Sequence, residues 1–416
     1  QMNKTIKLAV AGAVLSAASV ANAGIIIPAG EWTLDVNGNV NTFAIMDNRD
    51  NTANINGGVA STTGGNNALA EDQTSINSGL LPAWLGFTGT TRQNDLDVSF
   101  TISMQPGTSG NNALGGGNAA NTTAGTENRQ AFITFGDKSW GSVKAGKDLG
   151  IFGSDAILSD MTLLGVGASG LSLATFQDVI GNGSTTTLGH IGTGYLYADW
   201  KGQIAYTTPN MNGFQATVGI MQPYVPLNTS AQSLAATATS QESFGYEAKA
   251  SYTNDLGKIW VGYIQQDVDF TAAIDNDATA VEIGATVNFG NASFTGYYSS
   301  GEGQGTTGFL MDGFDANGNA RDADTAFVQA TYVIPTGTKI GASYGRSDLD
   351  ATATDAANAA INLVSRNEMW TIGAYHPLTK HLNLVAEYND VTTESMNATA
   401  VDNESDSISI GAILFF

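Results

Sequence analysis

The sequence predicts an all-β chain folded as a transmembrane antiparallel β-barrel of 16 strands. Three observations carry that expectation. Apolar and polar residues alternate with period two in segments of about ten residues, the length a tilted membrane-spanning strand needs. Beyond residue 23 no apolar stretch approaches the roughly 20 residues of a spanning helix, so a chain that lives in a membrane can do so only as a closed barrel. The composition agrees: among 416 residues there are 50 glycines, 8 prolines, no cysteine and only 13% charged side chains, less charge than a soluble domain of this length usually carries.

The elements follow in chain order. Lys4 and Lys7 precede an apolar run from Leu8 to Val20 and the small-x-small triplet Ala21-Asn22-Ala23, the pattern a signal peptidase cuts. Residues 1–23 are therefore expected to be a signal peptide and residues 24–416 the barrel; Gln1 ahead of Met2 is left out of the fold reasoning. Without Lys4 and Lys7 the chain has 14 basic against 38 acidic residues, a formal charge of −24. Nucleic acid is an implausible partner at that charge, whereas cations are plausible ones. Lack of cysteine leaves the bilayer and the ladder hydrogen bonds to hold an exported fold.

The expected strands are 32–44, 83–91, 95–104, 128–136, 139–147, 200–208, 214–222, 244–253, 258–268, 279–289, 291–299, 325–334, 339–348, 368–376, 381–391 and 406–416. In the last of them Ile408, Ile410, Ala412, Leu414 and Phe416 share one face, and Ser407, Ser409 and Gly411 the other, with Phe415 interrupting the polar row. Short turns such as 254–257 and 335–337 alternate with long polar loops, as periplasmic turns and external loops do in a barrel. Trp32, Tyr252, Tyr263, Phe289, Tyr332, Tyr344, Trp370 and Phe416 sit on the apolar parity near strand ends, where aromatic girdles form.

Motifs that resemble those of other chemistries also occur. Gly165-Val166-Gly167-Ala168-Ser169-Gly170 matches a dinucleotide fingerprint in form, but it lies in a glycine-rich loop without the strand and helix such a site needs. Asp315, Asn317 and Asn319 have calcium-loop spacing, yet Ala320 replaces the turn glycine and no closing glutamate follows. Asp35, Asn37, Asn39 and Asn41 read as polar pore lining rather than metal ligands. With only His190, His376 and His381 available, no Ser/His/acid set stands out. No catalytic residue, metal or cofactor is expected.

Four stretches resemble the general trimeric porins of Gram-negative bacteria, particularly the β-proteobacterial type. They are Arg129–Gly136 followed by Trp140–Lys147, Tyr206-Thr207-Thr208-Pro209 with Gly213-Phe214, Leu378-Thr379-Lys380-His381, and the terminal Phe416. Ala205 and Lys147 stand where the family often has arginine, which weakens its basic wall, and no basic residue lies in Ile413-Leu414-Phe415. The resemblance implies a multi-pass protein of the outer membrane and its lipid, a homotrimer, delivered by the barrel-assembly machinery through Phe416. It also implies a passive water-filled channel for small hydrophilic solutes and ions. Alternatives are a solute-selective channel and a non-conducting adhesin or structural barrel.

Acidic excess, with Asp35, Glu247, Glu282 and Glu387 on the lumen parity against Lys144, Lys201 and Lys249, predicts cation preference. The connection from Asp148 to Asp199 is long and carries Ile151, Phe152, Ile157, Leu158, Met161, Leu163 and Leu164, too apolar for a solvated loop; a short helix over 155–164 is expected. Like the family's third loop it should fold inward, with Asp148, Asp155 and Asp160 as an acidic rim facing Lys144, Lys201 and Lys249 across a gap.

Overall fold

The computed structural model describes residues 24–50, 53, 55–60, 72–106, 126–169, 186–230, 233, 241–271, 274–358 and 361–416. The expected signal peptide lies outside the described residues. Sixteen strands close a ring in which every neighbour is antiparallel: β2 (Trp32–Asp50), β4 (Trp84–Gln93), β5 (Leu96–Pro106), β6 (Thr126–Asp137), β7 (Gly141–Leu149), β8 (Trp200–Thr207), β9 (Phe214–Met221), β10 (Gly245–Asn254), β11 (Gly257–Thr271), β12 (Ile274–Phe289), β13 (Ala292–Glu302), β14 (Asp322–Val333), β15 (Lys339–Leu349), β16 (Val364–Pro377), β17 (Leu382–Ser395) and β18 (Asn403–Phe415). Closure is made by β18 on β2, leaving the ring no open edge of unpaired backbone groups in the bilayer.

Two short strands were not expected, and both pair with β2. β1 (Ile25–Ala29) lies along the edge that β18 uses further up, and β3 (Asp72–Asn77) along the edge that β4 uses lower down. Both are too brief for a spanning alternation to show. At the seam the Phe416 N–H donates to the Gly38 carbonyl at 3.0 Å and the Gly38 N–H to the Phe416 carbonyl at 2.8 Å, so the final residue completes the ladder.

Alternation sorts the two faces. Ile410 is 57% exposed on the outside while Ser409 beside it is fully buried inside. Tyr252, Tyr263, Phe289, Tyr332, Tyr344 and Trp370 all point outward and exposed, and Trp32 and Phe416 are half-buried. Strand ends agree with expectation at the short turns. At Asn94 and Asp95, both with left-handed backbone (φ 48° and 62°), the chain reverses in two residues, the conformation that matches strand twist in a tight hairpin. At the opposite ends several strands run further than expected, β2 to Asp50, β11 to Thr271 and β17 to Ser395. There the ladder continues as polar ribbon, so the apolar row that marks a spanning strand has ended before the hydrogen bonding does.

The interior is not uniformly polar. Trp260, Tyr297, Phe327, Met369 and Val391 face inward and pack on Ala156, Ile157, Leu188, Ile191 and Tyr195 of the connection between β7 and β8. Fully burying a side chain such as Ile, Phe or Met favours the seated loop by about 1.5–3 kcal/mol each, and Ile151, Phe152, Ile157 and Met161 are all buried. Segments 55–60, 78–82 and 303–321 also lie within the ring and add to the buried clusters.

Candidate functional site

The loop between β7 and β8 is the third external connection and it folds into the barrel. Its helix is shorter than expected: α1 (Ser154–Ser159) stops at Asp160, whose side chain accepts from the Thr162 N–H at 2.8 Å and starts a separate 3-10 turn, Met161–Leu164. An acid at the start of a helical turn satisfies an otherwise orphaned amide, and here that capping bond splits the expected helix in two.

The wall holds this loop by its backbone. Glu247 of β10 accepts from the Ile151 and Phe152 N–H groups, both at 3.2 Å. Glu282 of β12 accepts from the Gly153 N–H at 2.9 Å and from the Tyr297 hydroxyl at 3.0 Å. Gln329 of β14 accepts from the Met161 N–H at 2.6 Å and donates to the Ser159 carbonyl at 3.0 Å. Glu387 of β17 accepts from the Val166 and Gly167 N–H groups at 2.8 and 2.9 Å and from the Tyr375 hydroxyl at 2.6 Å. Asp47 of β2 accepts from the Ser169 hydroxyl at 2.7 Å and is paired with Arg49 at 2.8 Å. The anchors thus run around the inner wall from β10 to β2.

Here the glycine-rich segment finds its use. Consecutive backbone N–H groups aimed at one carboxylate form an anion-binding concavity, and the anion is the chain's own Glu387 rather than a nucleotide. Gly167 has φ +60° and a Cβ there would lie 2.4 Å from the Gly189 backbone, so the close approach requires glycine. Asp315 is likewise self-satisfied, accepting from the Asn317 and Asn319 N–H groups and the Asn319 and Thr352 side chains. Among the described residues no cluster of potential metal ligands is found.

The expected acidic rim is rearranged. Asp148 lies on β7 of the wall, not on the loop, where Gln130 donates to it at 2.8 Å and Lys144 forms an ion pair. Asp155 is on α1, bound directly by Lys249 at 3.0 Å and by Lys258 of β11. Burial alone would raise its carboxyl; the two lysines outweigh that and hold it below the ordinary range. Asp160 is enclosed within the loop, accepting from the Thr162 and His190 N–H groups and from the Tyr195 hydroxyl at 2.7 Å. Burial again opposes its ionisation, and His190, Tyr195 and Thr162 prevail, leaving its carboxyl lowered. Lys201 is buried against Glu247 at 3.0 Å. Asp35 is half-buried on the inward parity of β2. Between loop and wall, the direct contact of Asp155 with Lys249 and Lys258 replaces the expected open gap between separated charges.

Sequence reasoning missed several participants. Arg129 is buried with its guanidinium 4.6 Å from the Trp84 ring and 4.1 Å from the Trp200 ring, an aromatic clamp with no sequence periodicity to announce it. Lys258 opens the expected strand 258–268 with no expected role in the site, yet it binds Asp155. The structure also brings together Ser343, His190 and Asp160: the Ser343 hydroxyl is 3.3 Å from His190 Nε2, and His190 Nδ1 is 3.4 Å from Asp160. All three are buried, and the contacts tie the loop to β15 as a latch.

The profile of the Gram-negative porin family matches residues 8–395. The chain belongs to the Gram-negative porin family. As a porin it is an outer-membrane channel, and solved porins share its fold at low identity. The anion-selective porin from Comamonas acidovorans is 16% identical, with 93% of this chain and 100% of that one covered and a TM-score of 0.61. The outer membrane channel DcaP of Acinetobacter baumannii is 13% identical, with 94% and 99% covered and a TM-score of 0.67. The trimer form of OmpT, an outer membrane protein of Vibrio cholerae, is 13% identical, with 92% and 99% covered and a TM-score of 0.54. No curated protein sequence matches the porin.

Proposed function

We propose that this porin is a passive diffusion channel for small water-soluble solutes and ions, assembled as a homotrimer in outer-membrane lipid. Residues 1–23 act as its export signal and Phe416 as its recognition element for the barrel-assembly machinery. The observation that carries the proposal is the third loop itself: it is anchored inside a closed ring, and a polar stretch of wall carrying Thr88, Thr101, Thr134, Thr207 and Thr217 remains opposite those anchors. A loop fixed across part of a wide barrel narrows it to a sieve.

Selectivity follows from the charges left uncommitted. Glu247, Glu282 and Glu387, which underlie the expected cation preference, are each occupied by backbone amides of the loop. Lys249 and Lys258 share the single carboxylate of Asp155, and Lys339 rests over the Tyr375 ring. A hydrogen-bonded carboxylate keeps its charge, so acids and lysines nearly balance at the constriction, which supports weak selectivity in place of the expected cation preference. Liposome swelling with small sugars tests passage, and a reversal potential in a KCl gradient tests sign. Absence of swelling would reject the channel reading; a strongly cation-selective potential would reject the charge assignment.

A further inference from the structure

β1 and β18 lie end to end along one edge of β2. Ile25 faces Val36 and Ile26 faces Asp35, while the Gly38 N–H and carbonyl are both bonded to Phe416. Antiparallel pairing advances one residue on each strand, so Gly24 falls beside Asn37, and a residue before it would fall beside Gly38, the place Phe416 holds. The edge has room for a strand that starts at Gly24 and none for one that continues ahead of it in line. Gly24 is also the first residue after the Ala21-Asn22-Ala23 triplet, where a signal peptidase is expected to cut.

A carboxylate stands at that start. A Cβ placed on Gly24 would lie 1.9 Å from Asp35 Oδ1 and 3.0 Å from Oδ2, so the backbone of residue 24 touches this side chain and any larger residue there would push it aside. Asp35 Oδ1 is buried without a hydrogen-bond donor. Its polar neighbour is Asn37, and among the described residues no lysine, arginine or histidine pairs with it. Buried carboxylate oxygens rarely go without a donor, because the hydration they lose is otherwise not replaced. The other acid at this end is the terminal carboxylate of Phe416, one oxygen of which accepts from the Gly38 N–H at 2.8 Å.

We propose that Gly24 is the processed N-terminus of the porin and that Asp35 is the receptor for its ammonium group, an inference that rests on residues 1–23 being the export signal. Water hydrolyses the peptide bond between residues 23 and 24, and the acid formed on Ala23 gives its proton to the amine formed on Gly24. That ammonium donates to Asp35 Oδ1, a charge-assisted bond that pins β1 to β2 next to the Phe416–Gly38 pair completing the ladder. Gly24 and Asp35 together then present no net charge to the channel.

Mass spectrometry of the N-terminal peptide from the native oligomer, before and after treatment with N-hydroxysuccinimidyl acetate, tests both halves, with the exposed Lys380 as internal rate standard. The expected first residue is Gly24. An ordinary α-amine titrates at about 8, and an ion pair that makes it hold its proton about tenfold more tightly leaves about tenfold less of the reactive free base near neutral pH. Gly24 should therefore acetylate about tenfold more slowly in the folded wild type than in Asp35→Asn, and Asp35→Glu should keep part of the protection. Gly24→Ala brings a Cβ against Oδ1 and should acetylate at the Asp35→Asn rate, the same readout without touching Asp35. Equal rates in the wild type and both variants would overturn the Asp35 receptor alone. A mature chain that starts elsewhere than Gly24 would overturn the proposal, and one that keeps residues 1–23 would overturn the export-signal reading with it.

Discussion

Replacing Glu387 by alanine removes the acceptor for three buried donors at once: the Val166 and Gly167 N–H groups and the Tyr375 hydroxyl. Hydrogen bonds to a charged group contribute about 1.5–3 kcal/mol each, and an unsatisfied buried donor costs a similar amount. Simple addition would give about 4–9 kcal/mol, but bonds that share one acceptor are not additive and water can enter a vacated site. A local loss of about 3 kcal/mol is the working figure, raising the open population of the 165–169 arm about 150-fold. Barrel stability should change little, because the ladders of β17 with β16 and β18 do not involve this side chain. Hydrogen exchange at Val166 and Gly167 should accelerate by that factor, with noisier single-channel current; Glu387→Gln, which keeps an acceptor oxygen, should fall between. If exchange at both amides stays at the wild-type rate and the current stays quiet, the carboxylate is not what holds the arm and the anchoring argument fails.

Asp155→Asn leaves Lys249 and Lys258 without their shared carboxylate, and the reversal potential in a KCl gradient should move toward anion selectivity; movement toward cations would contradict the charge assignment. Asp315, in the segment between β13 and β14, is held at about 2: burial would raise it, but the Asn319 and Thr352 side chains and the Asn319 and Asn317 amides lower it further. A depressed carboxyl contributes stability above its unfolded value near 3.9 and loses it as pH falls toward about 2, so 303–321 should resist proteolysis at pH near 4 in the wild type and become cleavable there in Asp315→Asn. Ser343→Ala should loosen the His190 latch, read as faster exchange at the His190 amide. Deleting Phe416 removes both hydrogen bonds to Gly38 and should lower the yield of heat-modifiable oligomer in the outer membrane; an unaffected yield would remove it as the assembly element.

The barrel was legible because its cause is local. An outward residue meets lipid and its neighbour meets the interior, so Ile408, Ser409 and Ile410 declare their faces in sequence, as the pairing of β18 with β17 and β2 bears out. β1 and β3 were not legible, since five or six residues beside an already assigned strand carry no alternation of their own. The inward course of the third loop could be read from its apolar content, but the partners of its polar groups could not. Parity says that Glu247, Glu282 and Glu387 face inward; it does not say that an amide waits for each. The same limit explains why Asp148, Asp155 and Asp160 were grouped: they are near in sequence, whereas Lys258 and Tyr195, which decide what two of them touch, are far away. Apolar inner-wall residues such as Trp260 and Phe327 break the alternation for the same reason, because the loop that covers them belongs to another part of the chain.

The account stands on a water-filled path past the anchored third loop, and single-channel recording of the purified oligomer in a planar bilayer tests it most directly. Stepwise, ohmic conductance appearing in groups of three is the predicted result, with step size increasing when Glu387→Ala frees part of the loop. A correctly inserted, heat-modifiable oligomer that stays electrically silent would contradict it, and would assign the filled interior to a structural or adhesive barrel instead.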